Sequence, residues 1–339
     1  MATKYFSSKY GHIYLGDCLG LMNNIDSGSV DLVVTSPPYA LIKKKEYGNS
    51  SSDNYLDWFK PFAKEIYRIL APHGSFVLNI GGSWKKGQPT RSLYHFKLLI
   101  MLCDEFGFNL AQEFYFWNPS KLPNPAEWCT IRKIRVKDSI EPIWWLSKTA
   151  YPKASNKRVL QPYSKSMHSL LENGYKAKMR PSGHNISSKF MINNGGSIPP
   201  NILALPNTES NSSYLRYCTV NNIIPHPARF PSILPEYFIR MCTDEGDLIF
   251  DPFAGSCVTG EVAERLKRRW ICCDIIEDYL KGAKGRFRKD NYSNPPFDDT
   301  SYSIYKPGYT WDTNEDEPLD LDGGKTRRSK KAKKFILTK

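Results

Sequence analysis

A hydroxyl, two prolines and an aromatic ring follow one of the most apolar segments of the chain. Residues 32–39 read LVVTSPPY, so Ser36, Pro37, Pro38 and Tyr39 come directly after a β-branched run. Two consecutive prolines keep the backbone extended and supply no N–H donors, so the segment offers mainly hydrogen bond acceptors. The Ser36 Oγ atom and the Pro37 carbonyl could accept both hydrogens of an exocyclic amine. Tyr39 supplies a face on which a nucleobase could stack.

A second group of small residues lies far downstream, after another apolar strand. Residues 247–260 read DLIFDPFAGSCVTG, a strand followed by a turn and the start of a helix. In doubly wound folds this order brings backbone N–H groups and a helix N-terminus against an adenosine ligand. Asp251 and Phe253 stand where a dinucleotide site needs glycine, which favours a smaller, cationic adenosine ligand. Asp274 ends the next strand, where an acid commonly binds ribose hydroxyls.

Together the two motifs predict methyl transfer to an amine, although either one alone would also fit an ordinary turn. An amine conjugated to a base is a poor nucleophile because its lone pair is delocalised into the ring. Two acceptors below the nitrogen favour a pyramidal geometry, and such positioning can supply about 7–11 kcal/mol. The electrophile would be the methyl group on the sulfonium of S-adenosylmethionine. The base would have to leave the duplex at a cost of roughly a few kcal/mol.

Short apolar segments alternate with segments of helical period along most of the chain. This alternation predicts an α/β fold with a mostly parallel sheet. Pro61 lies within one predicted helix, which should therefore kink there or begin late. Strands are predicted at residues 12–17, 31–38, 74–80, 111–119, 139–148, 247–251 and 270–274, and helices at residues 55–70, 92–107 and from 258 onward.

Two regions depart from this pattern. Residues 151–225 are rich in Ser, Asn, Pro and Gly and show little periodicity. A stretch of this length without regular elements is usually functional or disordered. Residues 291–339 carry an acidic run followed by a basic one, which predicts a charged, flexible tail. We therefore expect one catalytic core from residues 1–150 and 226–290, interrupted by an irregular insert.

The composition favours a nucleic acid partner and an intracellular location. The net charge of +13 suits a polyanion, although charge alone is weak evidence. The eight cysteines never fall in a Cys-x-x-Cys spacing, which predicts reduced thiols in a cytoplasmic protein without a metal site. The polar N-terminus and the absence of a long apolar run predict neither export nor a membrane span.

At this point the sequence resembles the amino-methyltransferases of bacterial restriction–modification systems. TSPPY is similar to their catalytic motif and DPFAGS to their cofactor motif. The catalytic motif comes first, as in the circularly permuted β arrangement of the family. Serine before the two prolines is typical of cytosine-N4 enzymes, whereas adenine-N6 enzymes usually carry Asp or Asn. The likeness is most specific to PvuII-type cytosine-N4 enzymes and rests on segments such as TSPPYALIKKKEYGN, FYFWNPSKLPNPAEW and HPARFPSILPEYFIRM.

The resemblance implies a Rossmann-like methyltransferase fold and transfer of a methyl group from S-adenosylmethionine to cytosine N4 in double-stranded DNA. Some relatives of the β arrangement form dimers, so a homodimer is one of the open oligomeric states, and a cognate restriction endonuclease would be a genetic partner only. Asp17 would lie near the adenine, Asp274 at the ribose, and Pro231 and Leu234 at the methionine end. The full set of implied cofactor contacts is Asp17, Thr35, Pro231, Leu234, Asp251, Phe253, Ala254, Gly255, Ser256, Thr259 and Asp274.

DNA contacts are expected from two basic runs and from the insert at 151–225, which becomes the target-recognition region under this resemblance. Arg135 could read a guanine, although phosphate positioning or plain surface charge is the more frequent use of such a residue. The expected DNA-binding residues are Lys43, Lys44, Lys45, Arg132, Lys133, Arg135 and Lys137.

Two residues depart from the family pattern and leave alternatives open. Cys257 replaces a usual glycine or polar residue, which could narrow the cofactor loop. Asn79 stands where a PvuII-type relative carries an aspartate proposed to assist proton removal. We expect Ser36 and the Pro37 carbonyl to suffice, since the methylated amine loses its proton readily. The alternatives are an adenine-N6 enzyme of the same fold and a non-catalytic DNA-binding relative.

Overall fold

A computed structural model describes residues 2–41, 50–174, 191–204, 213–229 and 231–288 of the chain. The chain divides into two compact units, and all described residues lie in the first, Met1–Ile304. The expected tail at 291–339 lies outside the described residues, as do Lys43, Lys44 and Lys45.

The described strands form one nine-stranded sheet in the order β1-β2-β9-β8-β3-β4-β6-β5-β7. Neighbouring strands are parallel from β2 through β9, β8 and β3 to β4, and again between β5 and β7. The pairs β1–β2, β4–β6 and β5–β6 are antiparallel. The strands are β1 (Thr3–Ser7), β2 (Gly11–Leu15), β3 (Val30–Thr35), β4 (Leu70–Asn79), β5 (Asn109–Trp117), β6 (Ile140–Ser147), β7 (Ile202–Ala204), β8 (Leu248–Asp251) and β9 (Arg269–Asp274).

Helices cover both faces of the sheet. They are α1 (Cys18–Met22), α2 (Tyr55–Ile69), α3 (Tyr94–Asp104), α4 (Lys165–Asn173), α5 (Ser213–Val220), α6 (Ile233–Cys242), α7 (Val258–Arg265) and α8 (Glu277–Ala283). One π-helical turn (Glu127–Ile131) and two 3₁₀ turns (Asn156–Val159 and Lys284–Phe287) complete the described helical elements. None of the helices within the described ranges is long and apolar enough to cross a membrane.

The centre of the sheet shows why its strands are apolar throughout. Leu32 and Val34 of β3 pack into the core beneath α6, α7 and α8, whereas Val33 packs into the core beneath α1, α2 and α3. A strand covered on both faces buries consecutive side chains, as is usual in parallel sheets. The strand pattern LVV, without polar alternation, is the sequence signature of this three-layer arrangement.

Strands from the two ends of the chain meet in the middle of the sheet. β8 inserts between β9 and β3, with Leu32 opposite Ile249 and Val33 opposite Phe250. The carboxyl ends of β3 and β8 therefore lie side by side, although residues of the two strands are more than 200 positions apart in sequence. Ligands of open parallel sheets bind at such an edge.

The predicted strands and helices are present, with shifts of a few residues at their ends. Of the two alternatives for the first long helix, the late start is wrong, because α2 begins at Tyr55 and runs through Pro61, and a kink at Pro61 stays a prediction. A proline inside a helix costs about 3 kcal/mol. The buried residues Phe59, Phe62 and Ile66 offset this cost, since burying one such side chain contributes about 1.5–3 kcal/mol.

Two strands (β1 and β7) and five helices (α1, α4, α5, α6 and α8) were not predicted. Within 151–225 the described residues include α4, α5 and β7, so this part of the chain is not irregular throughout. β7 pairs with β5 at one edge of the sheet, and β1 forms the opposite edge. Both edge strands are short and only Leu203 among their residues is buried, so neither carries the long apolar run that reveals the central strands.

Candidate active site

A cavity of about 770 Å³ lies at the carboxyl ends of the parallel strands. The segment after β3 lines it with Ser36, Pro37, Pro38 and Tyr39. The loop after β8 lines the same cavity with Phe253, Ala254, Gly255 and Ser256, and Asp17 and Asp274 contribute two carboxylates. The structure thus brings the two motifs, which are distant in sequence, to one site.

The Tyr39 hydroxyl is the centre of a hydrogen bond network in this cavity. It accepts from Ser36 Oγ at 3.2 Å and from Asn79 Nδ2 at 3.0 Å, and it donates to Glu141 Oε2 at 3.0 Å. Lys121 Nζ donates to the other oxygen of Glu141 at 2.8 Å. Burial and the nearby Glu141 carboxylate raise the pKa of Tyr39 well above its usual range. Tyr39 is therefore a neutral phenol at the pH of the cell.

The loop that carries Tyr39 is fixed from several sides. Tyr55 in α2 donates a hydrogen bond to the Pro38 carbonyl at 2.9 Å. The Tyr39 ring lies where a Cβ atom on Gly81 would stand, so only glycine at position 81 leaves room for the ring. Tyr94 hydrogen-bonds the Gly81 carbonyl and holds that segment in place. The local fold therefore pre-positions the aromatic ring instead of leaving it on a free loop.

A buried carboxylate joins the two motifs below the cavity. Asp251 Oδ1 accepts from Thr35 Oγ1 at 2.7 Å and from the Phe253 N–H at 3.2 Å, and Oδ2 accepts from Thr259 Oγ1 at 2.7 Å. Burial raises the pKa of Asp251 to about 6, against the opposing effect of these hydrogen bonds. Asp251 thus positions both loops from inside the core.

The cofactor loop is tight, and glycine is required at position 255. Gly255 has φ +51, and a Cβ atom there would approach His226 Nε2 to 2.9 Å. The Gly255 N–H donates to Asp274 Oδ2 at 2.8 Å. Buried Arg286 donates to the Ser256 carbonyl at 2.8 Å and to Ser256 Oγ at 3.2 Å. These contacts hold the loop against the end of β9.

Cys257 gives the physical reason why glycine is common at its position. It caps α7 with φ 54 and ψ 40, the left-handed region that side chains rarely adopt. Such a conformation costs about 1–2 kcal/mol for a residue other than glycine. The thiol side chain is fully buried and does not line the cavity, so it does not narrow the ligand space.

Two carboxylates at the cavity have remaining capacity for ligand hydroxyls. Asp17 caps α1 by accepting from the Leu19 N–H at 3.1 Å. Asp274 accepts one backbone hydrogen bond on each oxygen, from Gly255 and from Ile276. A carboxylate offers about four lone-pair sites, so both residues can accept further hydrogens. Burial raises the pKa of Asp274.

The residues around the cofactor loop fit S-adenosylmethionine. Phe253 packs against Trp58 and Phe62, with ring centroids 5.9 and 5.1 Å apart, and all three rings line the cavity. An adenine ring needs such an apolar, aromatic wall, and the ribose hydroxyls need acceptors such as Asp17 and Asp274. Carboxylates also suit the positive charge of a sulfonium.

Several expected cofactor residues lie away from the cavity wall. Thr35, Asp251 and Thr259 form the buried bridge described above, and Leu234 is fully buried in α6. Pro231 accepts a backbone hydrogen bond from Leu234 and, like it, is not among the described lining residues. A direct contact between these five residues and a cofactor stays a prediction.

Glu141 and Lys121 were not identified from the sequence as site residues. Glu141 is a single carboxylate in the otherwise apolar strand IEPIWWLS, and such an isolated charge is the signal that could have revealed it. Asn118, Phe116 and His226 also line the cavity. Burial lowers the pKa of His226 to about 4, so its imidazole is neutral.

The basic loop, residues 122–140, connects two cavity residues, Lys121 and Glu141, and contains the four expected DNA-binding cations of this region. Lys133 and Lys137 are exposed, and Lys137 Nζ donates to the Pro119 carbonyl.

The two arginines of this loop have partners within the protein. Arg132 forms an ion pair with Glu127 at 2.6 Å and lies over the Trp128 ring. Arg135 donates from Nε and Nη2 to the Pro89 carbonyl and from Nη1 to its neighbour, Ile134. Its contact with DNA stays a prediction.

Several known proteins are similar to this chain in sequence. Residues 30–285 match the N6/N4 methyltransferase family model, described as DNA methylase. The chain is 48% identical over 312 residues to the type II methyltransferase M.PvuII of Proteus hauseri, covering 91% of this chain and 93% of that protein. It is 28% identical over 292 residues to M.BamHI of Bacillus amyloliquefaciens, covering 82% of this chain and 58% of that protein.

Solved methyltransferase structures are similar to this chain in fold. PvuII DNA methyltransferase (cytosine-N4-specific) superposes with a TM-score of 0.68 at 44% identity, covering 84% of this chain and 89% of that chain. TTHA0409 of Thermus thermophilus, complexed with S-adenosyl-L-methionine, superposes with a TM-score of 0.52 at 22% identity. The match covers 84% of this chain and 95% of that chain and shows similarity of fold alone. The expected α/β methyltransferase fold is confirmed. The chain belongs to the N6/N4 DNA methylase family.

Proposed function

We propose that this protein is a site-specific DNA methyltransferase that transfers a methyl group from S-adenosylmethionine to N4 of cytosine in double-stranded DNA. The observation that carries the proposal is the shared cavity. Acceptors suited to an amine and a loop suited to an adenosine ligand line the same space of about 770 Å³. The identity of 48% to a type II methyltransferase over nearly the whole chain supports the same conclusion.

The target amine would be held at the tip of β3. Ser36 Oγ donates its hydrogen to Tyr39, which leaves the oxygen lone pairs of Ser36 for hydrogens of the substrate. The Pro37 carbonyl would accept the second hydrogen, and the Tyr39 ring would stack on the base. Extrusion of the base from the duplex is part of the proposal, because the reacting nitrogen is otherwise paired inside the helix.

The cofactor would be held by the loop after β8 and by two acids. When bound, S-adenosylmethionine supplies an electrophilic methyl group on its sulfonium. Asp274 and Asp17 would accept from ligand hydroxyl and amino groups, and Phe253 would pack against the adenine. The tight turn at Gly255 leaves room for close approach of the ligand to the backbone. These contacts would hold the cofactor so that its methyl group faces the target amine.

Cytosine is favoured over adenine as the target. Ser36 occupies the position before the two prolines, and the solved relative at 44% identity is described as cytosine-N4-specific. A serine can accept from the amine while its own hydrogen is committed to Tyr39. An aspartate or asparagine would present a longer side chain at this point of the cavity.

DNA binding would involve the basic loop and the region at 151–225. The chain carries a net charge of +13, and cations that replace counterions along the phosphate backbone supply most of the sequence-independent affinity. The exposed Lys133 and Lys137 lie on a loop that begins and ends at cavity residues, so phosphates close to the extruded base are their expected partners. We assign target recognition to residues 151–225 and expect Lys43, Lys44 and Lys45 to contact DNA.

We also propose that the protein acts within a bacterial restriction–modification system. The M.PvuII relative is a type II methyltransferase, which supports a cognate restriction endonuclease as a genetic partner of this protein. A cytoplasmic location would follow from a DNA substrate in a bacterial cell. A homodimer stays an expectation of the family resemblance.

The test is methylation in vitro followed by mass spectrometry of the nucleosides. Purified full-length protein, labelled S-adenosylmethionine and unmethylated bacterial DNA should yield N4-methyldeoxycytidine. N6-methyldeoxyadenosine as the product would instead identify an adenine enzyme of the same fold. DNA binding without methyl transfer would identify a non-catalytic relative and overturn the proposal.

A further inference from the structure

Three polar groups surround the Tyr39 hydroxyl and use its entire hydrogen bonding capacity. A phenol has one hydrogen to donate and two lone-pair sites to accept. The partners are Ser36 Oγ at 3.2 Å, Asn79 Nδ2 at 3.0 Å and Glu141 Oε2 at 3.0 Å. Only one assignment of hydrogens satisfies all three contacts.

Glu141 decides that assignment. An ionised carboxylate can only accept, so the Tyr39 hydrogen must point at Glu141. The amide Nδ2 of Asn79 can only donate, and it takes one of the two acceptor sites on the Tyr39 oxygen. The second site takes the hydrogen of Ser36. Ser36 is left with its lone pairs available, which is the state needed to accept hydrogens from a target amine.

Lys121 holds the Glu141 carboxylate in the orientation that faces Tyr39. Its ammonium group lies 2.8 Å from Oε1, while Oε2 faces Tyr39. The two oxygens of Glu141 therefore have separate partners. A charge-assisted hydrogen bond of this type is roughly twice as strong as a neutral one.

We propose that Glu141 is a positioning residue that acts through Tyr39 to keep Ser36 an acceptor and that receives the proton released by methyl transfer. This inference rests on the proposed function and deepens it, because it assigns a path for the proton. Glu141 would not touch the substrate.

The proton path is balanced at each atom. The methylated amine is cationic, and its N–H bond breaks as an O–H bond forms on Ser36 Oγ. The original Ser36 hydrogen moves to the Tyr39 oxygen, and the Tyr39 hydrogen moves to Glu141 Oε2. The products are a neutral methylated amine and a protonated Glu141. No charge remains on Tyr39, whose buried hydroxyl does not ionise readily.

Solvent can then remove the proton from Glu141. The side chains of Glu141 and Lys121 are 21% and 32% exposed, whereas Asn79 is only 3% exposed. Glu141 is therefore the member of the network that combines a carboxylate with access to water. The cycle returns to its starting state without a strong base next to the substrate.

The variant Glu141→Gln tests the inference because it should reverse the network. Lys121 can only donate, so the glutamine oxygen should face Lys121 and its NH2 group should face Tyr39. Tyr39 would then receive hydrogens from both amides and would turn its own hydrogen towards Ser36. Ser36 would lose one acceptor site, and no carboxylate would remain to take the proton. We expect kcat to fall by about 100-fold or more, with unchanged affinity for S-adenosylmethionine.

A rescue variant separates this role from a merely structural one. Asn79 contacts the same hydroxyl, so Asn79→Asp would place a carboxylate within reach of Tyr39 on the neighbouring strand β4. In the Asn79→Asp background, Glu141→Gln should cost less than about 10-fold in kcat, because an obligate acceptor again faces the Tyr39 hydrogen. An equal loss in both backgrounds would overturn the inference, and so would a Glu141→Gln variant with wild-type kcat.

Glu113→Gln is the matched control, since Glu113 is exposed on the neighbouring strand β5 and does not line the cavity. It should behave as the wild type in every assay. Failure of the inference is distinguishable from failure of the proposed function. A wild-type protein that transfers no methyl group to DNA would overturn the function itself, whereas an active wild type with an equally active Glu141→Gln variant would overturn only the part assigned to Glu141.

Discussion

The Thr35 hydroxyl donates a 2.7 Å hydrogen bond to the Asp251 carboxylate and so joins the carboxyl ends of β3 and β8. Thr259 at the start of α7 donates to the other oxygen of Asp251 at 2.7 Å. The loop that offers Ser36 and the loop that starts at Pro252 therefore share one buried anchor. In the proposed reaction the separation of these loops would set the distance from amine to methyl group, so Asp251 would position both reactants.

Replacement of Asp251 by Asn should change stability in a pH-dependent way. Burial raises the pKa of Asp251 from 3.8 to about 6, so the folded protein binds a proton more readily than the unfolded chain. In the window between these values the ionised carboxylate costs stability, and the cost increases as the pH rises. An uncharged amide avoids this cost. The free energy of unfolding of Asp251→Asn relative to the wild type should therefore increase by about 2 kcal/mol as the pH rises from about 4.5 to 7.

Chemical denaturation at several pH values measures this difference in the free energy of unfolding. Asp57→Asn is the control, because the Asp57 side chain is 83% exposed. A difference between Asp251→Asn and wild type that does not change with pH would contradict the assigned environment of Asp251.

Replacement of Ser36 by Ala should remove most methyl transfer. The variant loses an acceptor for the target amine and the first member of the proton path, while Asp17, Asp274 and the loop at Gly255 keep the cofactor site. We expect kcat to fall by at least about 100-fold, as for loss of one preorganised hydrogen bond in other active sites. Calorimetry should give nearly unchanged affinity for S-adenosylmethionine. Wild-type turnover would refute the role of Ser36.

Replacement of Gly255 by Ala should weaken cofactor binding. The new Cβ would approach His226 Nε2 to 2.9 Å, in a backbone conformation with φ +51. The variant loop should relax in the free protein, and ligand binding would have to restore the left-handed conformation at a cost of about 1–2 kcal/mol, so affinity for S-adenosylmethionine should fall by roughly 10-fold. Gly20→Ala is the control, since a Cβ there meets nothing within 4 Å. Equal affinities in the two variants would show that the loop does not approach the ligand.

Lys133→Gln and Lys137→Gln should weaken DNA binding without altering the chemistry. Each exposed lysine that pairs with a phosphate contributes about 0.9 to the slope of log affinity against log salt concentration. The double variant should therefore show a shallower slope by nearly two and a similar affinity for S-adenosylmethionine. Lys4→Gln on the edge strand β1, at the other end of the sheet, serves as the control. An unchanged slope in the double variant would place the basic loop away from the DNA.

Much of the fold and the two reacting segments follow from local sequence. Apolar runs such as LVVT and LIFD identify the buried parallel strands, because a strand covered on both faces has no polar alternation. The acceptor character of Ser36, Pro37 and Pro38 is a covalent property of those residues. Both depend only on neighbouring residues and can therefore be predicted from local sequence.

The packing of the strands brings side chains that are distant in sequence into contact with these segments. Glu141 lies 102 positions after Tyr39, and only the placement of β6 beside β4 brings its carboxylate to the phenol. Asp251 is buried where Thr35 and Thr259 donate hydrogen bonds to it, and its contact with a cofactor stays a prediction. Contacts between strands depend on sheet order and register, and a single-residue shift in register turns a side chain to the opposite face. Local sequence patterns do not contain that information.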